Sequence, residues 1–167
     1  MTEEWRSVAG FEGKYEVSSL GRVRSLARTI EFGGRSRRHD ERILRPQIDT
    51  VGYPRVCLGT GSGQVHVRVH VLVCTAWHGT RPEGLVCRHL DGNPTNSVPS
   101  NLAWGTVSEN AFDSVRHGGH PEAAKTHCPQ GHEYSEENTA IHSGRRSCRT
   151  CHRASNAQYE IRKGAAA

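Results

Sequence analysis

The sequence predicts an α+β fold in three parts: a small antiparallel β platform at the N-terminus, a central ββα unit, and a small C-terminal module pinned by metal-ligating side chains. Three observations carry that prediction. Short β-prone runs punctuated by glycines occupy the first third of the chain. An apolar run ending in His89 is followed by a tight turn, a second short run and a segment that can be capped as a helix. Cys128, His132, Cys148 and Cys151 form two close pairs. With 167 residues, a formal net charge of +5 and 34% hydrophobic content, the chain can hold one modest core but not three. The expected organisation is therefore small modules at residues 1–64, 65–118 and 127–163, with a linker at 119–126 and residues 164–167 set aside as a candidate tag remnant.

In the platform, residues 14–18 and 21–26 read as two strands joined at Ser19-Leu20, and further strand signals follow at 43–48, 53–58 and 65–71. Between Arg22 and Arg55 lie nine arginines against four acids, a local excess of five positive charges. Arg22 and Arg24, at alternate positions, fall on one strand face, and Gly33-Gly34-Arg35-Ser36-Arg37-Arg38 reads as a mobile basic loop. With Arg42 and Arg45 these side chains are candidates for contact with a phosphate backbone. A charge run is usually only a solvated face, so the platform alone does not decide between the two.

In the central unit, residues 85–90 form a strand signal that ends in the turn Asp91-Gly92-Asn93-Pro94, and residues 101–105 form its partner. Thr106 or Ser108 can cap a helix that runs to about His117, where Gly118 and Gly119 stop it. Such a unit can bring His89, a general base, and Asn110, an oxygen ligand for a hard cation, to one cleft. That pairing suits phosphodiester hydrolysis. Taken singly, His89 is as well explained as a structural histidine, Asp91-Gly92-Asn93 as a turn, and Asn101 and Asn110 as loop and helix-start residues. The joint spacing is what favours a site.

His89-Leu-Asp-Gly-Asn93, Asn101-Leu-Ala-Trp104 and Ser108-Glu-Asn110 closely resemble the motif of the HNH endonucleases of phage and intron-encoded homing type, the ββα-metal or His-Me finger nucleases. About sixty residues match, including Val69-His-Val-Leu-Val73 and Ala76-Trp77, which are similar to the short helix that precedes the motif in this group. The resemblance implies a DNA endonuclease in which His89 activates water, Asn110 ligates magnesium or manganese, and Asn101 positions the loop against the His89 backbone. One position departs from it. The residue before the base is usually Asp or Asn and a second metal ligand, and here it is Arg88, which has only donors and stays charged. The expected consequence is that Asn110 holds the cation with substrate phosphate and water, while Arg88 takes a phosphate oxygen. Trp5 to Ser25 similarly resembles the modular DNA-binding motif that often precedes such domains. With the nuclease resemblance beside it, the arginine platform is expected to contact double-stranded DNA.

The cysteine and histidine pairs, Cys128-x3-His132 and Cys148-x2-Cys151, offer three thiolates and one imidazole, a set suited to tetrahedral zinc. His142 and His152 compete with His132, which is preferred because it makes the tight pair with Cys128. Cys57, Cys74 and Cys87 sit in apolar runs and read as buried thiols, while His66, His70 and His78 read as packing or phosphate-facing histidines. Arg145, Arg146, Arg149 and Arg153 surround the zinc ligands, and residues 153–163 have helical composition. No apolar stretch is long enough for a membrane span and the acidic start is unlike a signal peptide, so a cytoplasmic, intracellular protein is expected, as for a phage protein in its host. The reading is a monomeric metal-dependent DNA endonuclease. The competing class is a non-catalytic DNA-binding or phage packaging-accessory protein that keeps the HNH shape, with packaging proteins as its candidate partners.

Overall fold

The computed structural model describes residues 2–142 and 144–165, which divide into two compact units at residues 117 and 118. The first unit opens with strands β1 (Trp5–Ser7), β2 (Tyr15–Ser18) and β3 (Val23–Ser25), then a hairpin of β4 (Arg28–Phe32) and β5 (Arg35–His39), then β6 (Arg42–Ile43). These give an antiparallel sheet of order β1-β2-β3-β6 with β4-β5 standing as a separate ribbon. Strands β7 (Gln47–Ile48), β8 (Pro54–Gly59) and β9 (Gln64–Arg68) form a second antiparallel sheet, and β9 runs directly into helix α1 (Val69–His78).

Strand alternation decides what is buried. Tyr15 and Val17 on β2, Val23 on β3, and Val56 and Leu58 on β8 turn inward, where they meet Val69, Leu72, Val73 and Cys74 of α1. Each such side chain contributes on the order of 1.5–3 kcal/mol when fully buried. The Tyr15 hydroxyl, accepting from the Gly59 amide at 2.9 Å, ties the two sheets together. Leu102 from the following hairpin completes the same core, so the modules expected at 1–64 and 65–118 share one hydrophobic interior.

That hairpin pairs β10 (Val86–His89) with β11 (Leu102–Gly105) in the register Val86↔Gly105 to His89↔Leu102, with a 3₁₀ turn at Pro99–Asn101 just before β11. Its Trp104 indole donates to the Gly79 carbonyl at 3.0 Å, anchoring the hairpin to the end of α1. Helix α2 (Val107–Arg116) follows, started by a reciprocal capping box in which Thr106 and Glu109 satisfy each other's backbone amides.

Several expected elements come out differently. The segment 43–48 is two short strands, because Pro46 between them has no N–H for a ladder. The strand expected to reach residue 71 stops at Arg68, where Val69 begins α1 and helical burial replaces alternation. The basic segment from Gly33 to Arg38 is no mobile loop. Gly33 and Gly34 both take positive φ, 58° and 74°, the requirement of a two-residue hairpin turn, and Arg35 to Arg38 belong to the returning strand. Cys57 is exposed because β8 turns it away from the core, opposite His66.

The second unit contains α3 (Pro121–Ala124), which lies within the segment expected to be a linker, the hairpin β12 (Thr139–His142) and β13 (Arg145–Cys148), and α4 (Arg149–Ala165). Helix α4 begins four residues earlier than the composition suggested and continues through Gly164 and Ala165. The rest of the expected tag remnant, Ala166 and Ala167, lies outside the described residues. Among the described residues no helix is long and apolar enough to cross a membrane.

Candidate active site and metal centre

His89 ends β10 with 8% of its surface exposed, and its ring packs against two others. The His70 ring lies edge-on at 4.8 Å between centroids, and Tyr53 is tilted over both, 4.9 Å from His70 and 5.7 Å from His89. Burial depresses the pKa of both imidazoles. For His70, burial, aided by the charge of His89, brings it to about 3, while at His89 the nearby Asp91 opposes the effect of burial. The buried Nε2 of His89 and Nδ1 of His70 each lack a hydrogen-bond partner within the described residues.

The turn after His89 is held rigidly. Asn101 accepts from the Asp91 amide at 3.0 Å and donates to Asp91 Oδ1 and the Asn96 carbonyl, both at 2.9 Å, and its own carbonyl accepts from Leu90 at 2.9 Å. Asp91 in turn accepts from the Asn93 amide and from Asn96. These bonds, led by the one from Asn96, hold the Asp91 carboxyl down to about 2. Both of its oxygens are thus occupied in bracing the turn. From the end of α2, His117 donates to the Leu90 carbonyl at 3.0 Å.

Successive side chains on a strand face opposite ways, so Arg88 points away from the His89 cluster and toward α2. Its guanidinium is 14% exposed and grips Asp113 through Nε at 2.8 Å and a terminal nitrogen at 2.7 Å, with Glu109 at 3.4 Å. Arg116 joins Asp113 from the far side at 3.2 Å. Arg88 lies across Gly105, where an added Cβ would come within 2.4 Å of its Cδ. Asn110 is exposed on α2, and no hydrogen bond joins its amide to His89 or Arg88 among the described residues. The carboxylates nearest Arg88 are committed to its guanidinium. Among the described residues the exposed Asn110 amide is the one expected cation ligand without such a commitment, and a single oxygen donor could hold a divalent cation only with further ligands from outside the protein.

Asp113 and Tyr53 were not singled out in the sequence. For Asp113 a signal existed: it lies four residues after Glu109 on the α2 face that a strand arginine without a carboxylate neighbour must meet. For Tyr53 there was none, since its pairing with His89 is set by tertiary packing.

Residues 67–112 match the HNH endonuclease family, and residues 3–59 match the NUMOD4 motif. The chain carries an HNH domain behind a NUMOD4 motif. The DNA endonuclease I-HmuI of Bacillus phage SP01 is 35% identical over 115 residues, covering 69% of this chain and 59% of the relative. A solved structure described as DNA binding and cleavage by the HNH homing endonuclease I-HmuI aligns with a TM-score of 0.55 and 34% identity, over 70% of this chain and 60% of that one. The chain spans about three fifths of the length of the curated relative it matches.

Within the NUMOD4 segment the candidate arginines divide. Arg22 pairs with Glu3, and Arg24 with Glu16 at 2.5 Å and Glu41 at 3.1 Å, both stacking over Trp5, so their charges are largely answered within the protein. Arg35, Arg37, Arg42 and Arg45 are exposed, and exposed Arg38 has Asp40 at 3.4 Å as its one ion-pair partner among the described residues.

Outside the HNH domain, Cys128, His132, Cys148 and Cys151 bring their ligand atoms within 4.8 Å of one another, the one such group of three or more Cys, His, Asp and Glu among the described residues. Cys128 Sγ lies 3.5 Å from His132 Nδ1 and 3.6 Å from Cys151 Sγ, and His132 Nδ1 is 3.3 Å from Cys151 Sγ. These are close to the edges of a tetrahedron with metal–sulfur bonds of about 2.3 Å and metal–nitrogen bonds of about 2.0 Å. The Cys151 amide, approaching Cys148 Sγ at 3.5 Å, helps bring that thiol down to about 6, while burial and the neighbouring thiols push Cys151 up to about 11. A divalent cation would relieve that crowding of sulfurs.

Proposed function

We propose that the chain is a divalent-metal-dependent DNA endonuclease that hydrolyses phosphodiester bonds with His89 as general base. The observation that carries this reading is the state of His89: it sits at the strand end of an HNH domain, clamped by Tyr53 and His70, behind a turn fixed by Asn101, and burial holds it in the neutral, proton-accepting form.

His89 Nε2 is enclosed by protein, so Nδ1 takes the proton from water as the hydroxide forms a bond to phosphorus and the scissile P–O bond breaks. Asn101 serves as a positioning residue, since it holds the backbone on the far side of His89. Asn110 would hold magnesium or manganese, which when bound neutralises charge on the phosphate and the leaving oxygen. Arg88, held by Asp113 on the α2 side of the strand, supplies positive charge at the position before the base and must let go of that carboxylate to take a non-bridging phosphate oxygen and share the negative charge of the transition state. Cys128, His132, Cys148 and Cys151 bind structural zinc. The exposed arginines Arg35, Arg37, Arg38, Arg42 and Arg45, with smaller shares from Arg22 and Arg24, hold the duplex by its phosphates. One HNH domain carries one such centre, so a monomer cuts one strand at a time.

The test is conversion of supercoiled plasmid to open circles with magnesium or manganese and its absence with chelator. An unchanged plasmid under every divalent ion would leave a DNA-binding protein without catalysis. Arg88→Asp separates two accounts of the metal site: slower cleavage at saturating metal supports the phosphate role, and faster cleavage would show that arginine had displaced a ligand.

A further inference from the structure

The unit formed by residues 118–165 contains a cavity that the cleavage chemistry leaves unused. The β12–β13 hairpin and α4 border an open concavity of about 180 Å³ lined by half-buried Ala140 and Ser147 and by exposed His142, Arg149, His152 and Arg153. Ala140 and Ser147 face each other in the hairpin register and form its floor, with Ser147 Oγ turned to the Ala140 carbonyl at 3.3 Å. Arg149, His152 and Arg153 are spaced i, i+3 and i+4, so they share one face of α4 and form the wall. Among the described residues the lining holds two guanidiniums, two imidazoles, one hydroxyl and one methyl group, and no carboxylate.

Local bonding shows which of these groups are free to meet a ligand. The opening amides of α4 are already satisfied: Arg149 N–H donates to the Asn138 carbonyl, Thr150 N–H to Asn138 Oδ1 at 3.0 Å, and Cys151 N–H to Cys148 Sγ. Recognition therefore falls to side chains. Arg146 is spent on structure, donating to the Glu122 and Lys125 carbonyls at 2.7 Å and lying over the Tyr134 ring. Among the described residues Arg149 uses only Nε, which donates to the Thr139 carbonyl at 3.1 Å. That bond orients the guanidinium and leaves its terminal nitrogens as donors. Arg153 is exposed at the rim. A concave, cationic, hydrophilic seat without a carboxylate suits a compact anion rich in oxygens, and planar guanidiniums match phosphate in two-point geometry.

We propose that this cavity is a seat for a phosphate group, filled in the working protein by a phosphodiester of the DNA backbone, which makes the Cys/His unit a second DNA anchor. The proposal rests on the DNA-binding reading above. Its chemistry is that of any phosphate, so the test must separate backbone from free phosphate.

The experiment uses the full, zinc-loaded chain and a duplex of about 30 base pairs, with affinity followed across salt concentrations. Arg149→Ala/Arg153→Ala should make the salt slope shallower by about 0.9 for each phosphate no longer neutralised. In ethylation interference the same variant should become insensitive at one or two adjacent phosphates while the others persist. Arg162→Ala/Lys163→Ala, which removes equal charge from the far end of α4, should leave slope and pattern as in the parent. Should removal of the Arg149 bond to Thr139 loosen the hairpin, seen as release of zinc, Arg153→Glu leaves that bond intact and should weaken binding by itself. Inorganic phosphate at matched ionic strength should weaken the parent toward the double variant. An unchanged slope and pattern would overturn the proposal. So would an equal weakening in the far-end variant, or inorganic phosphate binding at the cavity with no effect on DNA. A parent chain that binds no DNA would instead count against the proposed function.

Discussion

His89 and His70 are two buried imidazoles in one cluster, and their neutrality has measurable consequences. An unfolded imidazole takes up its proton near pH 6.5, whereas folded His70 resists protonation down to about 3. The unfolded chain therefore binds the extra proton first, and stability falls as pH drops from about 6.5 toward 3, by roughly 1.4 kcal/mol per unit for one such group. Denaturant titrations at several pH values should show that slope, and His70→Phe should flatten it. The same slope in the variant would remove His70 as the source. For catalysis, a base with depressed pKa stays available in mild acid, so the acid limb of cleavage should lie below pH 6.5. His89→Ala should lower the rate on the order of 10² to 10⁴-fold while DNA affinity stays at the parent value. A variant that nicks plasmid at the parent rate would displace His89 from its role. The spacing of His89, Asn101 and Asn110 was readable because it lies in one continuous stretch. The cluster around His89 was not, since Tyr53 and His70 reach it from β8's approach and from α1 through packing between distant segments.

At the scale of elements, the clearest legibility was in local chemistry. The Thr106 cap and the stop near His117 depend on neighbouring residues, and α2 begins and ends where those residues placed it. The β4–β5 ribbon depends on Gly33 and Gly34 acting as one turn, and a basic, glycine-rich string gives the same composition for a loop and for a hairpin. Replacing Arg35, Arg37 and Arg38 with alanine should weaken binding to all DNA sequences alike and reduce the salt slope by about 0.9 per phosphate left unneutralised. An unchanged slope would mean that the ribbon faces solvent. On the HNH hairpin, Gly105→Ala puts a methyl group where Arg88 lies, so Arg88 must leave Asp113. The expected cost is about 1–3 kcal/mol, read from thermal or denaturant unfolding. A variant as stable as the parent would show that the pair contributes little.

For the whole molecule, sequence and structure agree that hydrophobic content limits the chain to one main interior, which the NUMOD4 and HNH segments share. The remainder must find its stability elsewhere. Among the described residues the second unit places only Cys128 and Cys148 in the buried apolar set. With the proposed zinc at Cys128, His132, Cys148 and Cys151, its order should depend on metal. Elemental analysis should find one equivalent of zinc, and chelation or Cys148→Ser should unfold residues 118–165 while the first unit keeps its own melting transition. Full thermal stability of the second unit without metal would eliminate the site.

The two-residue turn between β4 and β5 changes when the entropy of the basic segment is given up. A floppy string of arginines would be frozen as DNA arrives, and the complex would bear the cost of immobilising it. A ribbon already closed by Gly33 and Gly34 meets that cost during folding, so the proposed encounter with DNA should need little rearrangement. Its association should be fast, limited by collision and electrostatic attraction, with the lifetime of the complex left to depend on how many phosphates the ribbon and its neighbours grip. Replacing both glycines with alanine would leave every arginine in place yet return that cost to the binding step, slowing capture without altering the charge.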